Sequence, residues 1–314
     1  MKVLLPDTIE LELDPARLDA ELAGYAAGEP IPDEHTDAEV LVVWGNSAAN
    51  LSDAARRLTK LRWVQSLAAG PDMVLQAGFD PAVVVTAGLG LHDRTVTEHT
   101  LALVLAAARR LHLLVRAQIG RRWAEELGGI QPVREPAVFR TLRDANVVIW
   151  GFGGIAATLA PVLTTLGANV TGVARSAGTR HGFPVVTADE LPALLPRTDL
   201  LISILPATRE TVRLIDATVL SHLPEHAWVV NVGRGTVLDE AALLDAVRGG
   251  RVAGAALDVF ETEPLPVESG LWAEPNVIIT PHAAGGRPIG AEELITANLA
   301  AFREGRPLRH TVSL

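Results

Sequence analysis

The chain has 314 residues, 48% of them hydrophobic and 20% charged, with a formal net charge of −10. That length suits two domains with cores of their own, and the acidic balance lacks the whole-chain basic footprint of a nucleic-acid binder. There is no cysteine, which excludes disulfides, thiolate zinc sites and cysteine nucleophiles together.

Taken in chain order, the first residues, Met1 to Asp7, lack a signal-peptide pattern, and we expect a cytoplasmic protein with no metal site. Lysine occurs only at Lys2 and Lys60, neither in the Gly-Lys-Ser/Thr setting of a phosphate loop. The single tyrosine, Tyr25, is followed by Ala26, Ala27, Gly28 and Glu29, so a Tyr-x-x-x-Lys pair cannot be built. Apolar runs predict strands over 3–5, 40–44, 63–66 and 83–86, separated by helical stretches such as 51–58. A long helix is expected over 96–119. Its most apolar part, 101–108, is too short to span a bilayer, and Glu98, His99, Arg109 and Arg110 flank it closely. A polar link containing glycine and proline follows over 128–136. Further strands are expected at 147–150, 169–174, 200–204, 228–232, 254–258 and 277–280, and a last helix near 290–304 that returns to the first unit. Strands alternating with helices predict an α/β chain made of two doubly wound parallel-sheet domains.

The run Val147-Val148-Ile149-Trp150 leads into Gly151-Phe152-Gly153-Gly154-Ile155-Ala156 and then an apolar helix. This is a Gly-x-Gly-x-x-Gly/Ala pattern in a strand-turn-helix setting, the dinucleotide-binding arrangement. Gly151 permits the tight turn, Gly153 lets backbone approach a pyrophosphate, and Ala156 is small enough for helix–strand packing. The start of the helix, at Gly154 and Ile155, offers N–H groups to phosphates. An NAD site usually carries an acid near the end of the next strand. Here no acid occurs from Val170 to Val186, whereas Arg175, Ser176, Arg180 and His181 do. Arginine suits a phosphate. The expected cofactor is therefore NADP, with Arg175 and Ser176 on its 2′-phosphate; NAD remains the alternative.

Three later segments each place a polar group just past a predicted strand: Asn231-Val232-Gly233-Arg234-Gly235, Asp258-Val259-Phe260-Glu261-Thr262-Glu263-Pro264, and Pro281-His282-Ala283-Ala284-Gly285. That edge is where open α/β sheets bind ligands. Reducing a 2-oxo acid needs a carboxylate anchor, a proton donor and a positioned hydride. Arg234 can bind the carboxylate and polarise the carbonyl. His282 can supply the proton, and Glu263 can hold one histidine nitrogen and favour its protonated form.

On these residues the chain resembles the D-isomer-specific 2-hydroxyacid dehydrogenases, over nearly its whole length and most specifically from Asn146 to Gly285. The resemblance implies a Rossmann dinucleotide-binding domain over 95–283 and a smaller flavodoxin-like substrate domain over 1–94 and 284–314. It implies the catalytic set Arg234, Glu263 and His282, with Asp258 at the nicotinamide carboxamide. Val232, Gly233 and Gly285 would lie near the nicotinamide, and Leu205 and Pro206 along the adenosine. Ser66-Leu67-Ala68-Ala69-Gly70-Pro71 is similar to the loop whose amides hold a substrate carboxylate, which points to Ala69 and Gly70, although Ala68 and Pro71 depart from the usual Gly-Ala-Gly pattern. Trp44 resembles a pocket wall of small-acid reductases, and His92 is a second candidate for substrate contact. His99 is expected to make structural bonds. The implied function is NADPH-dependent reduction of a glyoxylate- or hydroxypyruvate-class acid to the D-2-hydroxy acid by a homodimer formed through the long-helix region, with no nucleic-acid or membrane partner. Two other readings stay open: an NAD-linked hydroxyacid or phosphoglycerate dehydrogenase, and a dinucleotide-sensing, corepressor-like binding module.

Overall fold

The computed structural model describes residues 1–128 and 138–312, so the expected link over 128–136 lies almost wholly outside the described residues. In chain order the strands are β1 (Lys2–Pro6), β2 (Glu21–Tyr25), β3 (Val40–Val43), β4 (Trp63–Ser66), β5 (Val84–Thr86), β6 (Asn146–Trp150), β7 (Asn169–Val173), β8 (Gly178–Arg180), β9 (Phe183–Val186), β10 (Leu200–Ser203), β11 (Trp228–Asn231), β12 (Gly254–Leu257), β13 (Val277–Ile279) and β14 (Thr311–Val312). The helices are α1 (Pro15–Leu18), α2 (Ala48–Arg57), α3 (Asp72–Gln76), α4 (Asp93–Ala108), α5 (Leu111–Ile119), α6 (Gly154–Thr165), α7 (Leu191–Leu194), α8 (Ala217–His222), α9 (Glu240–Arg248) and α10 (Ala291–Arg303). The chain divides into two compact units, Met1–His92 with Arg287–Leu314, and Asp93–Gly286.

In the first unit the sheet order is β14-β5-β4-β3-β1-β2, parallel except for β14 against β5. Read from the other edge, the parallel strands run 2-1-3-4-5, the flavodoxin-like winding. β3 and β4 are buried along their whole length, as strands covered on both faces must be. Leu4, Leu41 and Val64 pack with Leu51 and Ala54 of α2 on one face. Val3, Val40, Val42 and Trp63 pack with Leu294, Ile295 and Leu299 of α10 on the other. Buried Asn298 of α10 donates to Gln65 Oε1 at 2.9 Å, so the last helix is tied to the middle of this sheet. α2 starts where the Ser47 side chain accepts the Asn50 N–H, a conventional N-cap.

In the second unit the order is β13-β12-β11-β10-β6-β7-β9-β8, with only β8 antiparallel to its neighbour. The run β9-β7-β6-β10-β11-β12 is the Rossmann order 3-2-1-4-5-6, and it reverses between β6 and β10. Alternation along β6 supplies both layers. Val147 and Ile149 join Val104, Leu159 and Leu163 from α4 and α6; Val148 and Trp150 join Leu220 and Leu243 from α8 and α9.

One expectation is corrected, and two further elements were not foreseen. The long helix over 96–119 is two helices, α4 and α5, broken at Arg110, which adopts φ 53°. No glycine or proline marks that break; just beyond it, His112 sits edge-on to Trp228, with ring centroids 5.4 Å apart. β2 escaped notice because Glu21-Leu22-Ala23-Gly24-Tyr25 holds little β-branched character; it gains its place by pairing with β1 at the sheet edge. The residues after β7, to which no element was assigned, form the β8–β9 hairpin. Its two-residue turn, His181 at φ 50° and Gly182 at φ 84°, has the positive angles of a type I′ turn.

Candidate active site

In the second unit the glycine loop follows β6. Gly151 has φ 99°, and a Cβ there would come within 2.7 Å of the Ile204 carbonyl oxygen, so the turn requires glycine. Gly153 precedes α6, and the space in front of its Cα is open. α6 begins at Gly154 and Ile155, has no acid in its first turn and buries Ala156 completely. The helix start is thus open at Gly153, where a pyrophosphate fits, while the Asp93 carboxylate lies against Gly154. Leu205 and Pro206 follow β10, the other side of the point where the strand order reverses; the Pro206 carbonyl accepts the Thr211 hydroxyl at 2.7 Å.

Arg175 and Ser176 are exposed just past β7. Bonds to Thr208 and to its own backbone, and then charges that include Arg175, hold the exposed Glu210 carboxyl below the usual range. The hairpin adds a group the sequence reading noted but gave no role: Arg180 Nη2 donates to Ser176 Oγ at 2.6 Å, and its Nη1 lies 3.4 Å from the Phe152 carbonyl of the glycine loop. The signal was an arginine beside a His-Gly turn.

Arg234, Glu263 and His282 follow the carboxyl ends of three adjacent strands, β11, β12 and β13. Val232 is buried. Asn231, wholly buried, holds the Arg234 turn from inside: its Oδ1 accepts the Gly233 N–H at 3.2 Å and its Nδ2 donates to the Arg234 carbonyl at 3.0 Å. This supporting role was not assigned from the sequence, although the residue opens the quoted motif. A Cβ on Gly235 would overlap the Phe260 backbone, so the Arg234 turn lies directly against the segment leading to Glu263. Glu263 accepts the Phe260 N–H through Oε1 at 3.0 Å and meets His282 Nδ1 through Oε2 at 2.7 Å. The His282 and Glu263 side chains are 49% and 37% exposed, so the pair is open to an incoming ligand. His282 is held at φ 51°, a left-handed conformation that costs a non-glycine residue about 1–2 kcal/mol. Its N–H is fixed by the Asp258 carbonyl at 2.8 Å.

Asp258 is buried, and its carboxylate accepts three hydrogen bonds, from Thr280 Oγ1 at 2.5 Å, Ala283 N at 2.9 Å and Ala284 N at 2.9 Å, while His99 Nε2 lies 3.2 Å from Oδ1. A carboxylate offers about four acceptor positions. Three are used to hold the turn around His282, and one remains on Oδ2 for the carboxamide contact that the resemblance implies. His99 also reaches Thr280 Oγ1 at 3.0 Å, a structural bond. Gly285 accepts the Thr95 hydroxyl through its carbonyl at 2.6 Å.

Within the first unit, Trp44 and His92 stack with centroids 5.2 Å apart and planes 19° apart. His92 is only 4% exposed, and its Nε2 sits 2.8 Å from the Leu67 carbonyl. A His92 so enclosed braces the 66–70 loop and the Trp44 ring. That loop is shaped further by Ser66 Oγ, which accepts the Ala68 N–H at 3.2 Å, and by the Gly88 N–H, which donates to the Ala68 carbonyl at 2.8 Å. Ala69 and Gly70 at its tip are half-buried, and the Ala69 amide has no hydrogen-bond partner among the described residues.

The sequence model described as D-isomer specific 2-hydroxyacid dehydrogenase, NAD binding domain, matches residues 101–284. The chain belongs to this family. Among curated relatives, a glyoxylate/hydroxypyruvate reductase A from Enterobacter sp. (strain 638) is 38% identical over 181 residues, covering 57% of this chain and 58% of the relative. The match thus spans somewhat over half the length of that relative. Solved structures of family members align across 99% of the chain. A D-isomer specific 2-hydroxyacid dehydrogenase from Xanthobacter autotrophicus Py2, in complex with NADPH and MES, gives a TM-score of 0.80 at 31% identity, with 97% of its own chain covered. An NADPH-dependent glyoxylate/hydroxypyruvate reductase from Sinorhizobium meliloti, in complex with NADP and sulfate, gives 0.79 at 27% identity, with 98% of its chain covered.

Proposed function

We propose that this family member is an NADPH-preferring reductase of a small 2-oxo acid of the glyoxylate or hydroxypyruvate class, yielding the D-2-hydroxy acid. The observation that carries the reading is the 2.7 Å Glu263–His282 pair, on the same sheet edge as the Arg234 turn and the glycine loop. Bound nicotinamide would supply the hydride. Arg234 polarises the substrate carbonyl and anchors its carboxylate, as a guanidinium fork does. His282, held by Glu263 through Nδ1, delivers a proton from Nε2 to the oxygen that gains charge. The Ala69 and Gly70 amides take the substrate carboxylate, Trp44 limits the size of its side chain, and His92 keeps both in place. Asp258 acts first by fixing the His282 turn.

Arg175, Ser176 and Arg180, with no acid from Val170 to Val186, support NADP over NAD. The enzyme would act in the cytoplasm, where that cofactor pool lies, without nucleic-acid or membrane partners. It would work as a homodimer through the exposed apolar side chains of α5, among which Ile119 is 77% exposed; sedimentation showing a monomer at micromolar concentration would remove that part of the reading.

The experiment is steady-state oxidation of NADPH and NADH with glyoxylate, hydroxypyruvate, pyruvate and phenylpyruvate. Turnover should be strongest with NADPH and the two smallest acids. A preference for NADH would overturn the cofactor assignment and leave the Arg234, Glu263 and His282 set standing. No turnover with any of the four would overturn the activity.

A further inference from the structure

Two more carboxylates crowd the loop that carries Glu263. Glu240 opens α9, and its Oε1 accepts the Glu261 N–H at 2.5 Å; in return Glu261 Oε1 lies 3.5 Å from the Glu240 N–H. The loop is thus pinned at Glu261 by α9 and closes on itself at Glu263, which accepts the Phe260 N–H. Helix capping does not account for this use of Glu240. Asp239 is already the N-cap of α9 and accepts the Ala242 N–H at 2.9 Å. Nor is the arrangement electrostatically comfortable. Arg213 reaches Glu261 at 3.2 Å and Asp239 at 3.9 Å, but no cation pairs with Glu240 among the described residues. Burial, and then the negative charges of Glu261 and Glu263, push the Glu240 carboxyl above the usual glutamate range. A half-buried carboxylate kept among like charges asks for a compensating purpose, and among the described residues the one hydrogen bond it makes outside its own helix is with the Glu261 amide.

We infer that Glu240 is a positioning residue for the reaction proposed above: by holding the Glu261 amide it sets the loop from which Glu263 reaches His282. The inference rests on that reading for its kinetic readout, though not for its geometric one. Glutamine at this position keeps an oxygen acceptor in the same place, alanine removes it, and aspartate keeps the charge but falls short of the amide.

In the full chain, Glu240→Ala should lower kcat for glyoxylate by about ten- to a hundred-fold, the usual effect of removing a group that orients a catalytic one. KM for NADPH should be unchanged, because the glycine loop is untouched. Glu240→Gln should recover most of kcat, and Glu240→Asp should not. The His282 ring resonances, assigned by their loss in His282→Asn, should move in Glu240→Ala and stay in place in Glu240→Gln. Wild-type kcat together with unmoved His282 resonances in Glu240→Ala would overturn the inference. So would equal impairment of the glutamine and alanine variants, which would assign the effect to charge. If Glu240→Ala does not fold, Glu240→Asp decides, and wild-type kcat in it overturns the idea. If the wild-type chain reduces none of the oxoacids, the activity reading fails while the resonance comparison still tests the positioning role.

Discussion

His282 brings three fixed supports to one ring: the Asp258 carbonyl on its N–H, the Glu263 carboxylate on Nδ1, and the Asp258 carboxylate on the two residues after it. Removing the ring leaves the turn's other bonds in place, so the loss should be chemical rather than structural. His282→Ala should lower kcat by about 10²–10⁴-fold, the contribution of a general acid, with NADPH affinity and melting temperature retained. Near-normal turnover in this variant would end the general-acid assignment. The two arginines past β7 separate differently. Arg175 is exposed, with Glu210 near enough to feel its charge, while Arg180 joins the Ser176 hydroxyl to the glycine loop. Arg175→Ala should weaken NADPH and barely alter NADH. Arg180→Ala should also weaken NADPH and, through the lost tie to Phe152, NADH to a smaller degree. Equal loss of both cofactors in Arg175→Ala would remove the phosphate role. At this scale the sequence exposed the groups that would touch a ligand, because their chemistry stands out within the motifs. Asp258 and Glu240 act on backbone N–H groups far away in the chain, and Asn231 on the backbone of its own turn; no residue pattern announces such bonds.

The elements show the same division. β3, β6, β10, β11 and β12 were legible because strands buried on both faces read as apolar runs, and β4 through its Trp63-Val64 start although Gln65 and Ser66 follow. β2 and the β8–β9 hairpin were not, since an edge strand with glycine and a three-residue strand owe their existence to pairing partners rather than to their own side chains. The α4–α5 break rests on one left-handed arginine and had no local signal. Where backbones touch, a single atom becomes decisive. The Arg234 turn and the Phe260 segment meet at Gly235, and a Cβ there overlaps main chain that no rotamer change can relieve. Gly235→Ala should therefore shift the Glu263 loop and cost about 10²-fold in kcat, the scale of an ångström-sized misplacement of reacting groups. NADPH binding should persist, which titration of NADPH fluorescence would check; wild-type kcat would show that the two loops are not rigidly linked.

For the whole molecule, both windings follow from the alternation of strands and helices, and α10 joins the first unit because its apolar face matches the sheet of Val3, Val42 and Trp63. Stability over pH is a property at this scale, and one half-buried group gives it a sign. His112, at the start of α5, has both ring nitrogens buried without a hydrogen bond of ordinary geometry and packs edge-on to Trp228. Burial, chiefly, holds its pKa below the usual histidine value. The unfolded chain then binds a proton at a higher pH than the folded one, so unfolding gains protons as the solution is acidified below about pH 6.5. Stability contributed by neutral His112 is intact above that range and is lost as pH falls toward its depressed folded value. Phenylalanine keeps a ring against Trp228 and cannot take up the proton. Urea unfolding of the wild type and His112→Phe at pH 7.5 and 5.5 should show a smaller drop between the two pH values in the variant. An equal drop would mean that the acid sensitivity of the fold arises at other groups, and that His112 is accommodated in its charged form after all.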